Sequence, residues 1–330
     1  MNRKAGRKAR KGRSILLPAV AAVLALVAVF DPSMAVRRQM QDALVIVDIT
    51  RSMNVRDMGG TARLEAAKRG VRAWIAAQPC GTRVGLGLFT ERRSLTLLTP
   101  IDVCDDFESL TATLDALDWR MAWEGDSRIA KGLNHALARA QELGVALVFV
   151  TDGQEAPPLP YSGPDAYRGS CPRGLILGVG GIAPAPIPKF DETGREIGFY
   201  DADDVQHAPA RLGPPPADAA SRPGYHARNN PYGEADLAGH EHLSELRADY
   251  LKTLAAPCGL AFERLAAGPD AMTRALDAQG GGRDVVVRRG TAPYLGGVAL
   301  ALLVLAWIGP PRGLRFELRS GGAKPTREPV

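Results

Sequence analysis

The stretch ALVIVDITRSMNVRD, residues 43–57, decides how the rest of the chain is read. Five apolar residues lead into Asp48, and hydroxyls follow at alternate positions, Thr50 and Ser52. An unbroken apolar run of this kind fits a strand covered on both faces, since a half-exposed strand alternates apolar with polar. An acid at the end of such a strand, with two hydroxyls in the turn beyond it, has two readings. It is an ordinary strand-to-helix turn, or it is one edge of a cation site.

Strand and helix patterns alternate outward from this point. TARLEAAKRGVRAWIAAQ (61–78) places Leu64, Val71, Trp74 and Ile75 near helical spacing, with Thr61 as candidate N-cap. RVGLGLF (83–89) and SLTLLTPI (94–101) flank the turn TERR and predict an antiparallel hairpin. A helical pattern at 127–143 leads to the buried strand VALVFVTDG (145–153), then GLILGVGG (174–181), a helix over 241–256 and a last strand near 260–265. This alternation predicts an α/β fold: a doubly wound, mostly parallel sheet with helices on both faces. Two Pro- and Gly-rich insertions, 154–171 and 182–240, follow the carboxyl ends of strands, and the second contains a hairpin turning at DETGRE. Ligands bind at that edge of open α/β sheets, so both insertions share a face with Asp48.

Two more segments reach the same edge. WEGDSRIAKGL supplies Ser127 just before a helix, and FVTDGQE supplies Asp152 at the end of a strand. Asp48, Thr50, Ser52, Ser127 and Asp152 form a set of two carboxylates and three hydroxyls without His or Cys. Such hard oxygen donors suit Mg²⁺ first, with Ca²⁺ or Mn²⁺ as alternatives, rather than zinc. Asp126 is a further acid beside the set and a rival to Ser127 as ligand. The bland alternative is an inert remnant with the same residues and no ion. His240 and His242 form an H-x-H that reads as solvated at a helix start, and Asp201, Asp203 and Asp204 lack the Gly and Glu spacing of a calcium loop.

Charge and cysteines place the domain. The net charge of +5 is gathered at the ends. Residues 1–13 hold seven Lys or Arg and no acid, and the tail from Gly309 is about +3, which leaves about −5 between them. An acidic body repels phosphate, which argues against a nucleic-acid partner. Residues 14–35 read as a transmembrane anchor or a signal peptide: Ser33-Met34-Ala35 fits a cleavage site, and Arg37 and Arg38 favour an anchor. A second apolar run at 291–309 predicts a transmembrane helix, with 267–290 as a juxtamembrane segment and cytoplasmic tails at 1–13 and 310–330. Arg283, Arg288 and Arg289 lie on the side that the positive-inside rule would keep free of them. The domain between, 42–266, is then exported, and the four cysteines fit an oxidising compartment. Cys80 and Cys104 stand twelve residues either side of Arg92, opposite each other in the predicted hairpin, and Cys171 and Cys258 each precede a strand. The expected disulfides are Cys80–Cys104 and Cys171–Cys258; four free buried thiols are the alternative.

Three loops in this order resemble the von Willebrand factor type A (vWA) domain and its metal-ion-dependent adhesion site. That pattern is Asp-x-Ser-x-Ser, a Thr in a second loop and an Asp in a third. Here Asp48-x-Thr50-x-Ser52, Ser127 and Asp152 stand in those places, with two hydroxyl-for-hydroxyl exchanges. The resemblance implies a non-enzymatic module whose bound cation accepts an acidic residue from a protein client. DMGGTARLEAAKRGV is similar to membrane-anchored bacterial members. PIPKFDETGREIGFYDADDV and HLSELRADYLKTLAAPCGLAFERL resemble the Mxa-type accessory proteins of periplasmic, PQQ-dependent methanol dehydrogenases. That implies a role in maturation or calcium insertion at the bacterial inner membrane, with the dehydrogenase or its assembly factors as partner. The alternative is a Bat-type membrane protein serving another assembly or stress-tolerance system. An enzymatic reading, a metal-dependent phosphatase, lacks support because Thr50 stands where the second Asp of a haloacid-dehalogenase-type motif would be. No catalytic residue is expected.

Overall fold

The structure, a computed structural model, describes residues 3–308 apart from 124, 161, 208–212, 228–229 and 234–239. The tail at 310–330 and those parts of the 182–240 insertion lie outside the described residues. In chain order the first elements are α1 (Arg3–Val29), β1 (Ser33–Met40), β2 (Ala43–Asp48), α2 (Arg63–Ala77), β3 (Arg83–Thr90) and β4 (Arg93–Asp102). Next come α3 (Phe107–Ala116), α4 (Ile129–Leu143), β5 (Ala146–Thr151), β6 (Gly174–Gly178), β7 (Ala185–Pro186), β8 (Pro188–Phe190) and β9 (Glu196–Phe199). The last are β10 (Leu243–Ser244), α5 (Ala248–Ala255), β11 (Ala261–Arg264), α6 (Pro269–Asp277), β12 (Arg283–Gly290) and α7 (Ala292–Ile308).

The chain divides into two units, Arg38–Val285 and the two ends, Met1–Arg37 with Val286–Val330. The first holds a six-stranded sheet in the order β11-β6-β5-β2-β3-β4. All its pairs are parallel except the β3–β4 hairpin. Alternation along the strands divides the core. Val45, Val47, Val148 and Val150 meet Leu64, Val71 and Trp74 of α2, Leu110 and Leu114 of α3, and Met272 of α6. Leu44, Ile46, Leu147 and Phe149 meet Ile129, Leu133 and Leu137 of α4 and Leu251 of α5. Both faces are covered, as the unbroken apolar strands require.

The hairpin expectation holds: β3 and β4 pair with Arg83 opposite Asp102, and Cys80 and Cys104 are joined just beyond. Cys171 and Cys258 are joined near the amino ends of the neighbouring strands β6 and β11. Other expectations are corrected. Residues 241–247 are not helical; the helix starts at Ala248, because Leu243–Ser244 pairs with β7 and the Arg247 amide donates to the Asp152 carbonyl. Ala62, not Thr61, precedes α2 as N-cap, since Thr61 closes a bridge with Met58. Within segment 267–290 lies α6, which buries Met272 and Leu276 in the core.

The two apolar end segments form α1 and α7. Among the described residues no helix is long and apolar enough to cross a membrane. α7 runs over Ala292–Ile308, up to the last of the described residues. α1 is longer but begins with a run of Lys and Arg and contains Pro18.

Gly132 shows how tightly the α4 face is built. A Cβ there would lie 2.0 Å from the Phe89 ring, and Ser94 Oγ donates to the Gly132 carbonyl. Gly132→Ala improves helix propensity yet is expected to lower stability by about 1–3 kcal/mol through overpacking. Urea unfolding of the two proteins decides between these effects, and an unchanged or higher midpoint would refute the overpacking.

Candidate metal centre

Strand β2 ends at Asp48 with its side chain fully buried, and the chain then turns through a short 3₁₀ segment, Arg51–Asn54. The turn folds back because Asp48 Oδ1 accepts the Thr50 amide at 2.8 Å. That bond brings the hydroxyls together: Thr50 Oγ1 lies 3.4 Å from Ser52 Oγ. Strand β5 runs parallel beside β2, so its end delivers Thr151 and Asp152 to the same edge. Thr151 Oγ1 donates to Asp48 Oδ2 at 2.6 Å. Asp152 Oδ1 accepts the Gln154 amide at 2.9 Å, the same local turn that Asp48 makes.

Ser127 comes from the third segment. Its amide and carbonyl exchange bonds of 2.7 and 2.8 Å with Ala156, and the Arg128 amide donates to the Glu91 carbonyl. Glu155 then caps α4 by accepting the Ala130 amide at 2.9 Å. Burial raises the Glu155 carboxyl above its ordinary value, partly offset by the Tyr250 hydroxyl that donates to it. Loop 154–157 therefore holds Ser127 at the start of α4. The Ser127 hydroxyl is buried and has no hydrogen-bond partner.

Thr50, Ser52 and Ser127 line a groove of about 320 Å³, which Arg51, Asp126, Gln154, Tyr200 and Glu241 also border. Asp126 is half-exposed, its carboxylate 3.4 Å from Arg128. Of the H-x-H pair, His242 stands edge-on to His207 at 6.3 Å between ring centroids. Asp204 binds Lys189 at 2.7 Å and closes a capping box with Asp201. Among the described residues no three His, Cys, Asp or Glu side chains gather as a metal centre. The set at the sheet edge has only two acids, the rest of its donors being hydroxyls.

Sequence reasoning missed two residues. Thr151 is one. The other is Arg63, fully buried, whose guanidinium reaches Asp152 Oδ2 at 2.7 Å and Asp57 Oδ2 at 2.6 Å. Burial alone would raise Asp57, but the Arg63 bonds, the Gly181 amide and the guanidinium charge outweigh it and leave the carboxyl lowered. For Arg63 burial works against the charge, and Asp57 and Asp152 more than offset it. A signal for Arg63 existed: a cation at the first residue of a helix opposes the macrodipole.

The electrostatics suit a cation. Asp48 is raised to about 7, first by burial and next by the charge of Asp152, despite the bonds from Thr151 and Thr50. Asp48, buried against the charge of Asp152, and the unpartnered Ser127 hydroxyl are each costly to bury, whereas Asp152 is balanced by Arg63. The donors are carboxylate and hydroxyl oxygens, a set that fits a hard divalent ion.

No curated protein matches this chain. Among solved structures, an aerotolerance-related membrane protein from Bacteroides fragilis NCTC 9343, carrying multiple mutations to serines, is 19% identical, covering 72% of this chain and 99% of its own, with a TM-score of 0.46. The conserved hypothetical protein BatB from Bacteroides thetaiotaomicron is 16% identical, covering 72% and 98%, with a TM-score of 0.46. A von Willebrand factor type A protein from Catenulispora acidiphila is 12% identical over 42% of this chain and 34% of its own, with a TM-score of 0.30. Residues 43–154, which hold all five candidate ligands, match the family model of the von Willebrand factor type A domain.

Proposed function

We propose that this vWA domain is a cation-dependent, non-catalytic protein-binding module. Asp48, Thr50, Ser52, Ser127 and Asp152 would hold the ion, with Mg²⁺ the best fit to a hard-oxygen set and Ca²⁺ or Mn²⁺ as alternatives. The ion supplies a Lewis-acidic position open to an Asp or Glu of the client. The residues of this chain do the rest: Thr151 and the Thr50 amide orient Asp48, Arg63 orients Asp152, and loop 154–157 presents Ser127. The observation that carries the reading is the buried Ser127 hydroxyl, left without a partner in the groove that Thr50 and Ser52 also line.

For the client, the resemblance of residues 186–205 to the Mxa-type proteins favours maturation or calcium insertion of a PQQ-dependent methanol dehydrogenase. The competing client is an assembly or stress-tolerance system of the Bat type. Co-purification from the native host, with and without chelator, decides between them by which protein is retained. A compartment outside the cytoplasm is supported by both disulfides. Attachment to the inner membrane would rest on α1 and α7, although among the described residues no helix is long and apolar enough to cross it.

Ser127→Ala tests the carrying observation. Removing an unpartnered buried hydroxyl should leave stability unchanged or slightly raised, because no bond is lost. Mg²⁺ affinity by titration calorimetry should fall about tenfold, the low end for a lost supporting group at a metal site. Unchanged affinity would remove Ser127 from the site.

A further inference from the structure

Arg63 uses its whole fork. Nε donates to Asp57 Oδ1 at 3.0 Å, Nη2 to Asp57 Oδ2 at 2.6 Å and to the Ser244 carbonyl at 3.0 Å, and Nη1 to Asp152 Oδ2 at 2.7 Å and Ser244 Oγ at 2.6 Å. Each of its five N–H groups has a partner, and Arg63 is the one fully buried arginine among the described residues. Charge balance at Asp152 alone would not need such reach.

The extra contacts lead to the insertion. Ser244 pairs with Ala185, so the two roots of the 182–240 segment are cross-strand neighbours. The other root, Gly181, donates its amide to Asp57 Oδ2 at 2.7 Å, and its carbonyl accepts the Leu246 amide. Gly180, at φ +124°, lets the backbone pass so near that a Cβ would stand 2.7 Å from Arg63 Nε. From these roots the chain runs out to β8–β9, and Ile187 and Tyr200, joined by a backbone bond, form one wall of the groove. The hairpin is fastened to the body by Trp119 stacked on Phe190 and by the exposed Arg56–Glu196 ion pair.

We propose that Arg63 is a positioning residue that couples cation binding at Asp152 to the set of the 182–240 insertion, so that cation and client each strengthen the hold of the other. This rests on the cation-dependent reading above. One nitrogen, Nη1, serves both Asp152 Oδ2 and Ser244 Oγ, and Ser244 Oγ itself lies 3.2 Å from that carboxylate oxygen. A cation drawing on Asp152 shifts the balance of those bonds, and the Ser244 strand carries the shift to the groove wall. Coupling of this kind is reciprocal, so a client resting on the insertion raises cation affinity by the same factor. Lysine keeps the charge but not the planar fork, and cannot serve Asp57, Asp152 and Ser244 together.

The test uses the full chain with Mg²⁺ as probe, reading affinity by calorimetry and backbone hydrogen exchange in peptides covering residues 185–200. In the unmodified protein saturating Mg²⁺ should slow exchange there by about fivefold or more, the lower end of ordinary coupling. Ser244→Ala leaves both Arg63 ion pairs in place, so Mg²⁺ should still bind with little change in affinity while the slowing is lost. Arg63→Lys, which also loosens the hold on Asp152, should lose the slowing and bind Mg²⁺ more weakly as well. If Mg²⁺ binds and exchange does not respond, or responds equally in Ser244→Ala, the coupling is wrong and the cation site stands. If Mg²⁺ fails to bind the unmodified protein, the functional reading and the coupling fall together.

Discussion

Asp48→Ala is expected to abolish divalent-cation binding and, with it, capture of the client. One of two carboxylates in the set disappears, and with it the acceptor that folds the Thr50 turn and holds Thr151. The loss of affinity should exceed the roughly 10–100-fold that follows removal of an outer-shell partner. Asp48→Asn separates charge from shape, and it exposes a pH signature. Asp48 is raised to about 7 in the fold against an ordinary 3.8, so its contribution to stability is complete below about pH 4 and lost as pH climbs through 7. In chelator, stability should therefore fall between about pH 4 and pH 7, by on the order of a few kcal/mol from this group. Asp48→Asn should lack that decline, and saturating Mg²⁺ should suppress it in the unmodified protein. A flat profile in chelator would show that Asp48 does not sit charged and uncompensated at neutral pH.

Removing the Cys171–Cys258 disulfide should produce the largest loss of stability. It spans 87 residues, and closing so long a loop in the unfolded chain is worth about 4–5 kcal/mol by chain entropy. The bridge ties the loop before β6 to the turn before the edge strand β11, which has a neighbour on one side only. Cys171→Ala with Cys258→Ala, unfolded in guanidinium, should therefore lose more than the matching pair at Cys80 and Cys104. That bridge spans only 24 residues, about 3–4 kcal/mol on the same basis. The reverse order would mean that local contacts, not loop closure, govern these bridges.

The central sheet was legible because its strands are covered on both faces: ALVIVD and ALVFVT are apolar without interruption, which few other structures require. The hairpin and both disulfides followed from symmetry about one turn and from parallel neighbours. Three of the five candidate ligands lie in the groove lining, and the other two are fully buried. Arg63 was hidden because TARLEAAK reads as a helix start, where one arginine passes for a solvated side chain; only its poor match to the dipole hinted otherwise. Residues 241–247 look helical by composition, but tertiary bonds to β7, Arg63 and Asp152 claim their backbone and side chains first. α3 and α6 are short, with two or three buried apolar residues each, too few to mark a period.

Because Ala185 and Ser244 are adjacent, the long excursion between them leaves and re-enters the fold through a single doorway. Nothing in the sheet order depends on what happens outside that doorway, so the excursion is a cassette that can be shortened, lengthened or grafted without rethreading the core. Those residues could be rewritten alone while Asp48, Asp152 and the turn that follows Asp48 stayed where they are.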